Sequence, residues 1–274
     1  MPLTAKYNNN IINIVDYIGS YDDLRNNIFC TLCGNDFILK NGRVKIKHFA
    51  HKKKCNCEHK SESIEHIKTK IFLYKYFKSI VVVNKVELEK SLSSCRPDIY
   101  VNTNKSSIGI EVQISYDEDI VKRSIRNFSK DKIYSLWVFI PKKRKWFIGG
   151  DGMYIEHADS DGYSIYNNTR IKLRYDLVQK EIDIYNILKG LFIAKNNKLI
   201  FLKLSNTYPF KYKFTGDYED PHGEMYTDFK HPYKKIKLIE GFSVVNYIYL
   251  KKHKEYPIII YDFESDPNYV SLYQ

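Results

Sequence analysis

No stretch of this 274-residue chain approaches the roughly 18 consecutive apolar residues that a membrane helix requires, which excludes a helical membrane protein. The opening residues, Met1 to Asn10, lack the basic start and apolar run of a secretory signal, so the chain is read as unexported and cytoplasmic, with no membrane partner. Cysteine is scarce. Five thiols in a reducing compartment are free or bind metal rather than forming a disulfide framework, and their clustering decides between the two. Neither an internal repeat nor a low-complexity linker is found. What is present is an ordinary globular composition, 43% hydrophobic and 28% charged, long enough for one large or two modest domains. Lys and Arg number 44 against 32 Asp and Glu, a net charge of +12 that favours a polyanionic partner, with nucleic acid the first candidate. Richness in Lys, Asn, Ile and Tyr also follows from AT-rich coding, so charge alone does not decide.

Residues 1–27 carry one apolar-periodic stretch, Ile11 to Ile18, and then a turn signal. From Ile28 to Cys57 the pattern becomes short strand-like pieces, around Phe29, Phe37 to Leu39 and Val44 to Ile46, too small to fold without a staple. A helix follows over about 61–78, capped by Ser61 or Ser63, with Ile64, Ile67, Ile71 and Tyr74 as its apolar stripe. The period then switches to two. Val81–Val83 with Val86–Glu89, Asp98–Val101 and Ser107–Ile114 read as strands, the last two forming a hairpin across Asn102 to Lys105. A second helix over Asp117 to Asp131 and a strand over Ser135 to Pro141 complete a compact α/β unit with a mixed sheet. Beyond the basic run Lys142 to Lys145 and the Gly149–Gly152 turn, a helix over Leu177 to Phe192 and a strand over Leu199 to Leu204 stand out from a Tyr-rich remainder. The expected organisation is an N-terminal segment 1–58, an α/β domain 59–145 and an α+β accessory region 146–274.

Cys30-x-x-Cys33 followed by Gly34 is the spelling of a zinc knuckle, because a tight turn brings two thiolates to one tetrahedral ion. The second half of that site comes from His51 and Cys57, with His48 and Cys55 as alternates. The competing reading makes the thiols small buried hydrophobes and the histidines part of a basic loop. Cys95, alone, is a packing residue.

Asp98 opens one strand of the hairpin and Glu111 lies in the middle of the next, with Gln113 on the same face as Glu111 by strand alternation. Two carboxylates brought together in a cleft repel unless a cation lies between them, and hard oxygen ligands choose Mg²⁺ or Mn²⁺. A charged Glu within Ile108 to Val112 has no simple structural reason. The first helix adds Glu62, Glu65 and His66 away from its apolar stripe, and Glu89 is a further candidate or the partner of a surface Lys.

This spacing resembles the PD-(D/E)XK nuclease superfamily, and more closely the competence protein CoiA family. The resemblance runs from Cys30 to about Trp137 through Cys30-x-x-Cys33-Gly34, His48-Phe49-Ala50-His51, Glu62 to His66 with Lys68 and Lys70, Glu89, Arg96-Pro97-Asp98, Glu111-Val112-Gln113-x-Ser115, Arg123 and Trp137. It implies a restriction-endonuclease-like mixed sheet flanked by helices, a zinc-ribbon-like N-terminal segment and a DNA-processing nuclease. Carried over, Asp98 and Glu111 become Mg²⁺ (or Mn²⁺) ligands, Gln113 stands where the superfamily usually has Lys, and Glu65 holds a second metal or polarises the nucleophile. Arg96 and Arg123 become phosphate contacts, or else surface ion pairs. His66 becomes a supporting group or a plain helix-face histidine. Lys can stabilise a pentacovalent phosphorus by charge, whereas Gln can only hydrogen-bond.

The expected activity is therefore metal-assisted phosphodiester hydrolysis on DNA, with the Lys-rich zinc segment (Lys45, Lys47 and Lys52 to Lys54) docking on the backbone. Two rivals remain: a non-catalytic nucleic-acid-binding protein that keeps the fold, and a zinc-stapled interaction module whose basic character comes from coding bias.

Overall fold

The structure is a computed structural model and describes residues 1–25, 27–42, 46–57, 62–140, 145–149, 152–156, 179–204, 218–219, 225–226, 239–245 and 250–271. Lys45, Ser61 and Lys142 to Arg144, together with Gly150 and Asp151 of the glycine-rich turn, lie outside them.

Apolar residues of the first thirty form a three-stranded sheet. β1 (Thr4–Tyr7) is flanked by β2 (Asn10–Asn13) and β3 (Ile28–Phe29). A hairpin of β4 (Phe37–Lys40) and β5 (His48–His51) follows, in the register Phe37↔His51. Leu3, Ala5, Phe37 and Phe49 are fully or almost fully buried and share one core with the next helix. The hairpin is fastened to the N-terminal strand by the Phe49 N–H, which donates to the Pro2 carbonyl.

Helix α1 (Ile64–Lys78) begins at Ser63, whose hydroxyl accepts from the His66 N–H, as expected of an N-cap. Its buried stripe is Ile67, Lys70, Leu73, Tyr74 and Phe77. Ile64, expected on the stripe, is 56% exposed, because the helix is rotated so that Lys70 points inward. β6 (Val83–Leu88), β7 (Ile99–Thr103) and β8 (Ser107–Gln113) then pair antiparallel. Val81 and Val82 are exposed in the turn before β6 and take no part in it. Helix α2 (Glu118–Lys130), capped by the Asp117 carboxylate, returns the chain so that β9 (Tyr134–Phe139) pairs parallel to β8, Glu111 lying beside Trp137.

The hairpin β10 (Lys145–Gly149) and β11 (Gly152–Glu156) is followed by α3 (Gln179–Leu188), β12 (Leu191–Lys195) and β13 (Lys198–Leu204). Two short pairs come next, β14 (Tyr218–Glu219) with β15 (Met225–Tyr226), and β17 (Leu250–Lys252) with β18 (Ile259–Tyr261). Between these pairs lies β16 (Ile239–Val244), and β19 (Val270–Ser271) ends the described chain. The central sheet has eight strands in the order β19-β16-β13-β12-β9-β8-β7-β6, so it continues from the first half of the chain into the second. Alternate side chains of β9 separate its two faces. Leu136 and Val138 join the core under α1, whereas Trp137 and Phe139 join Val121 of α2 and Ile184 of α3. The fold is thus a mixed sheet between helical layers. No helix among the described residues is long and apolar enough to cross a membrane.

Candidate active site and metal centre

The strand that carries Glu111 turns Ile108, Ile110 and Val112 into the α1 core, which leaves Gly109, Glu111 and Gln113 on the α2 face. Asp98, just before β7, reaches across the hairpin to accept from the Val112 N–H at 2.9 Å. The Asp98 carboxylate therefore stands at the end of β8, where α1 also arrives.

From α1 come the residues that complete the site. His66 lies with Nε2 2.8 Å from the Val112 carbonyl, so this nitrogen donates, and 3.5 Å from Asp98. Its buried Nδ1 has no hydrogen-bond partner; the nearest carboxylate oxygen, Glu62 Oε2, is 3.7 Å away. Glu62, His66 and Asp98 each place one ligand atom within 4.8 Å of the other two. Burial alone would lower the His66 pKa, but the flanking Glu62 and Asp98 carboxylates raise it.

Lys70 is the residue that periodicity hid. Its side chain is 1% exposed, and its ammonium lies 2.7 Å from Glu89, 3.0 Å from Glu62 and 3.3 Å from Asp98. Burial opposes the charge, yet these three carboxylates hold the lysine protonated above its ordinary range. They in turn depend on it. Burial would raise Glu62, but His66 and Lys70 bring it down to about 2. A charged residue at a stripe position of an amphipathic helix was the available signal.

Glu89 is not the partner of a surface lysine. It is buried in the left-handed region at φ 52° and accepts from the Leu3 N–H at 3.2 Å, the Thr4 hydroxyl at 2.9 Å, Lys70 and Arg96. Its own N–H donates to the Asp98 carbonyl, which fixes the strand end that carries the site. Arg96 Nη2 lies 3.1 Å from Glu89, and its Nε donates to the Glu89 carbonyl. Its guanidinium is thus turned toward the Glu89 anchor.

Glu111 faces the α2 side and accepts no hydrogen bond among the described residues. Burial, reinforced by the negative charge of Asp98, pushes its pKa well up. Glu65 is exposed one position before His66 and lies outside the Glu62–His66–Asp98 trio. Gln113 ends β8 opposite Phe139, and Arg123 is exposed on α2. Cys95 donates its thiol to Asp131 at 3.2 Å, and burial raises its pKa. Glu62, Glu89 and Asp98 share the Lys70 ammonium, with Arg96 on Glu89 and the Met1 ammonium 3.7 Å from Glu62, while burial favours the neutral form of Glu111.

A second cluster lies in the N-terminal segment. Cys30, Cys33, His51 and Cys57 gather with ligand atoms within 4.8 Å of one another. The Cys30 and Cys57 sulfurs are 3.7 Å apart, and Cys33 Sγ lies 3.4 Å from His51 Nε2. Zn–S bonds of about 2.3 Å at tetrahedral angles put two sulfurs ~3.8 Å apart, so the spacing fits zinc. Strand parity selects among the histidines. His48 and His51 are three residues apart on β5 and point to opposite faces; His48 Nδ1 lies 2.8 Å from the Ile46 carbonyl, while His51 reaches Cys33. Cys55 stays outside the cluster. Gly34 takes a positive φ of 72°, as the knuckle turn requires. The Asn35 backbone N–H, helped by His51, draws the Cys33 thiol down to about 6.

The helix-flanked mixed sheet thus carries a strand Asp and a hairpin Glu, and the N-terminal segment carries a Cys/His knuckle. Residues 62–148 match the family model described as the competence protein CoiA nuclease-like domain, and residues 20–60 match that of the CoiA N-terminal domain. Over this region the chain is similar to the CoiA family. The competence protein CoiA of Bacillus subtilis (strain 168) is 27% identical over 117 residues, 42% of this chain and 31% of that protein. The match thus spans about a third of the relative's length.

Proposed function

We propose that the protein is a divalent-metal-dependent nuclease that hydrolyses phosphodiester bonds of DNA at the end of β8. The single observation that carries this reading is the convergence of Glu62, His66 and Asp98, whose ligand atoms lie within 4.8 Å of one another at the end of the strand that bears Glu111. The two carboxylates are the oxygen donors that Mg²⁺ or Mn²⁺ takes, and the imidazole adds a donor that Mn²⁺ accepts more readily than Mg²⁺. This shifts the ligand set from the Asp98–Glu111 pair alone toward α1. A cation held there supplies Lewis acidity and lowers the pKa of a bound water.

The chain's own groups do the rest. The Val112 carbonyl fixes the His66 tautomer by accepting from Nε2, which leaves Nδ1 free to ligate. Asp98 is aimed by the Val112 N–H and steadied by Lys70. Lys70 supplies from the helix the positive charge that position 113 lacks, and Gln113 is left to hydrogen-bond substrate or water. The Cys30–Cys33–His51–Cys57 cluster holds a structural zinc that staples β3 to the β4–β5 hairpin, in a segment whose lysines contact the DNA backbone. A role in competence or recombination is consistent with the CoiA relatives.

The test is nicking of plasmid and degradation of single-stranded DNA with Mg²⁺ or Mn²⁺, alongside Asp98→Asn, Glu111→Gln and His66→Ala. We expect wild-type cleavage, background cleavage in the two carboxylate variants and weakened Mn²⁺ binding in His66→Ala by calorimetry. Wild-type inactivity together with salt-sensitive DNA binding overturns turnover in favour of a non-catalytic DNA-binding protein.

A further inference from the structure

Outside the carboxylate site, the α2 face of the sheet carries a cationic row that ends in an aromatic notch. Arg123, Arg126 and Lys130 are exposed and share one side of α2 by their three- and four-residue spacing. None of the three has an ion-pair partner among the described residues. Lys122, beside them, is spent on Glu118. The row has no packing role, since α2 buries Val121 and Phe128 on its other side.

The C-terminal end of α2 leads to a cleft of about 290 Å³ between the α2–β9 turn and the β17–β18 turn. Its walls include Lys132, Tyr134, His253, Lys254 and Tyr256, with Glu255 the one carboxylate that lines it. The rings are held ready. His253 and Tyr256 stack with centroids 5.0 Å apart, and Tyr256 is 52% exposed. His253 Nδ1 accepts the N–H groups of Glu255 and Tyr256, which leaves Nε2 to donate outward. Lys252 Nζ sits 4.5 Å above the Tyr134 ring and adds charge to the rim. The notch is held in place by the sheet, because the Ser135 N–H donates to the Pro257 carbonyl at 2.8 Å.

The notch is connected to the carboxylates. Asp131, the C-cap of α2, accepts the Ser94 N–H at 2.8 Å and the Cys95 thiol, which ties the end of the helix to the loop that leads into Asp98. Glu111 and the cationic row occupy the same face of the sheet. Lysines and arginines in a row bind phosphates without reading bases, and exposed rings in a concavity stack on unpaired bases. A duplex keeps its bases stacked inside and offers the rings nothing.

We propose that this surface is a single-stranded DNA track, in which Arg123, Arg126 and Lys130 follow the backbone and the Tyr134–Tyr256 notch stacks an unpaired base some distance from the cleavage point. The proposal rests on the reading that a phosphodiester strand lies at Asp98 and Glu111, but its test does not need cleavage. Binding of fluorescein-labelled dT20 and of a blunt duplex is measured by anisotropy over a salt series without added divalent cation. The proteins are wild type, Tyr256→Ala and the double variant Lys130→Glu/Lys254→Glu, all altered at exposed positions.

For the track, we expect dT20 to bind wild type more tightly than the duplex does. Tyr256→Ala should lose about tenfold in dT20 affinity at unchanged salt slope, the scale of one lost base stack. The double variant should lose affinity and show a salt slope shallower by about two phosphate contacts. Retained dT20 affinity in both variants overturns the proposal, as does equal loss on duplex and dT20, or preferential binding of the surface to phosphatidylserine vesicles. Failure of the nuclease reading would appear separately, as absent cleavage with binding intact.

Discussion

At Glu89, one buried carboxylate takes hydrogen bonds from the chain start, from α1 and from the loop that presents Asp98. Replacing it by the near-isosteric Gln removes the charge that Lys70 and Arg96 were folded around. Glu89→Gln should destabilise by about 3–5 kcal/mol in urea unfolding, the cost of stranding a buried partner. Lys70→Met should cost a similar amount, and the double variant should cost clearly less than the sum, because each change removes the partner the other strands. Additive losses would show that the two residues act independently. These residues also mark where the sequence was hard to read. Asp98, Glu111, Cys30 and Cys33 stand out by spacing alone, but Lys70 occupies a position that periodicity assigns to an apolar residue. Glu62, which lies ahead of the Ser63 cap, reaches the site where Glu65 was expected, because residues before a helix do not follow its period.

Single elements carry their own constraints. Gly109 of β8 faces α2 so closely that a Cβ would meet Ile133 at 3.1 Å and both Phe128 and Pro97 at 3.2 Å. Gly109→Val should therefore cost about 1–3 kcal/mol by overpacking and push α2 off the sheet. A thermal midpoint equal to wild type would refute that close contact. In the N-terminal hairpin, metal analysis should find about one zinc per chain in wild type and almost none in Cys30→Ser or Cys57→Ser, with Cys55→Ser keeping its metal. The helices α1 and α2 and the β7–β8 hairpin were legible because caps and a strict period of two or 3.6 are local signals. The preference for His51 over His48 has its physical reason in strand parity in β5, a strand whose two histidines the sequence offered only as candidate ligands.

At the scale of the whole molecule, the sheet binds the two halves of the chain together. β9 pairs with β12 through Val138 and Phe139, and both strands are almost wholly buried. A fragment ending at residue 145 leaves β9 as a bare apolar edge and should be insoluble or unfolded by circular dichroism; a folded, soluble fragment would contradict this. The C-terminal strands were hard to foresee because this parallel pairing joins residues more than fifty positions apart, which no local pattern records. They also hold a pH-sensitive lock. Burial would raise the pKa of Asp266, but the hydroxyls of Ser243 and Tyr261 and the Asn268 N–H, at 2.9 Å, hold it below its ordinary value. A depressed carboxylate stabilises the fold above its unfolded pKa, and that contribution fades as pH falls through the folded value. Between about pH 5 and 3 wild type should thus lose stability more steeply than Asp266→Asn, as read by urea midpoints. Parallel pH curves would remove Asp266 from the acid response.

The Glu89 anchor has a consequence for how such a chain can drift. Segments 3–4, 70, 89 and 96 meet at one carboxylate that also steadies the strand end bearing Asp98. A lineage that no longer needed the chemistry could not discard these side chains one at a time, because each loss would first be felt as a loss of folding. The look of an active centre would therefore outlast its use, and residues at this hub would persist in descendants that have changed trade.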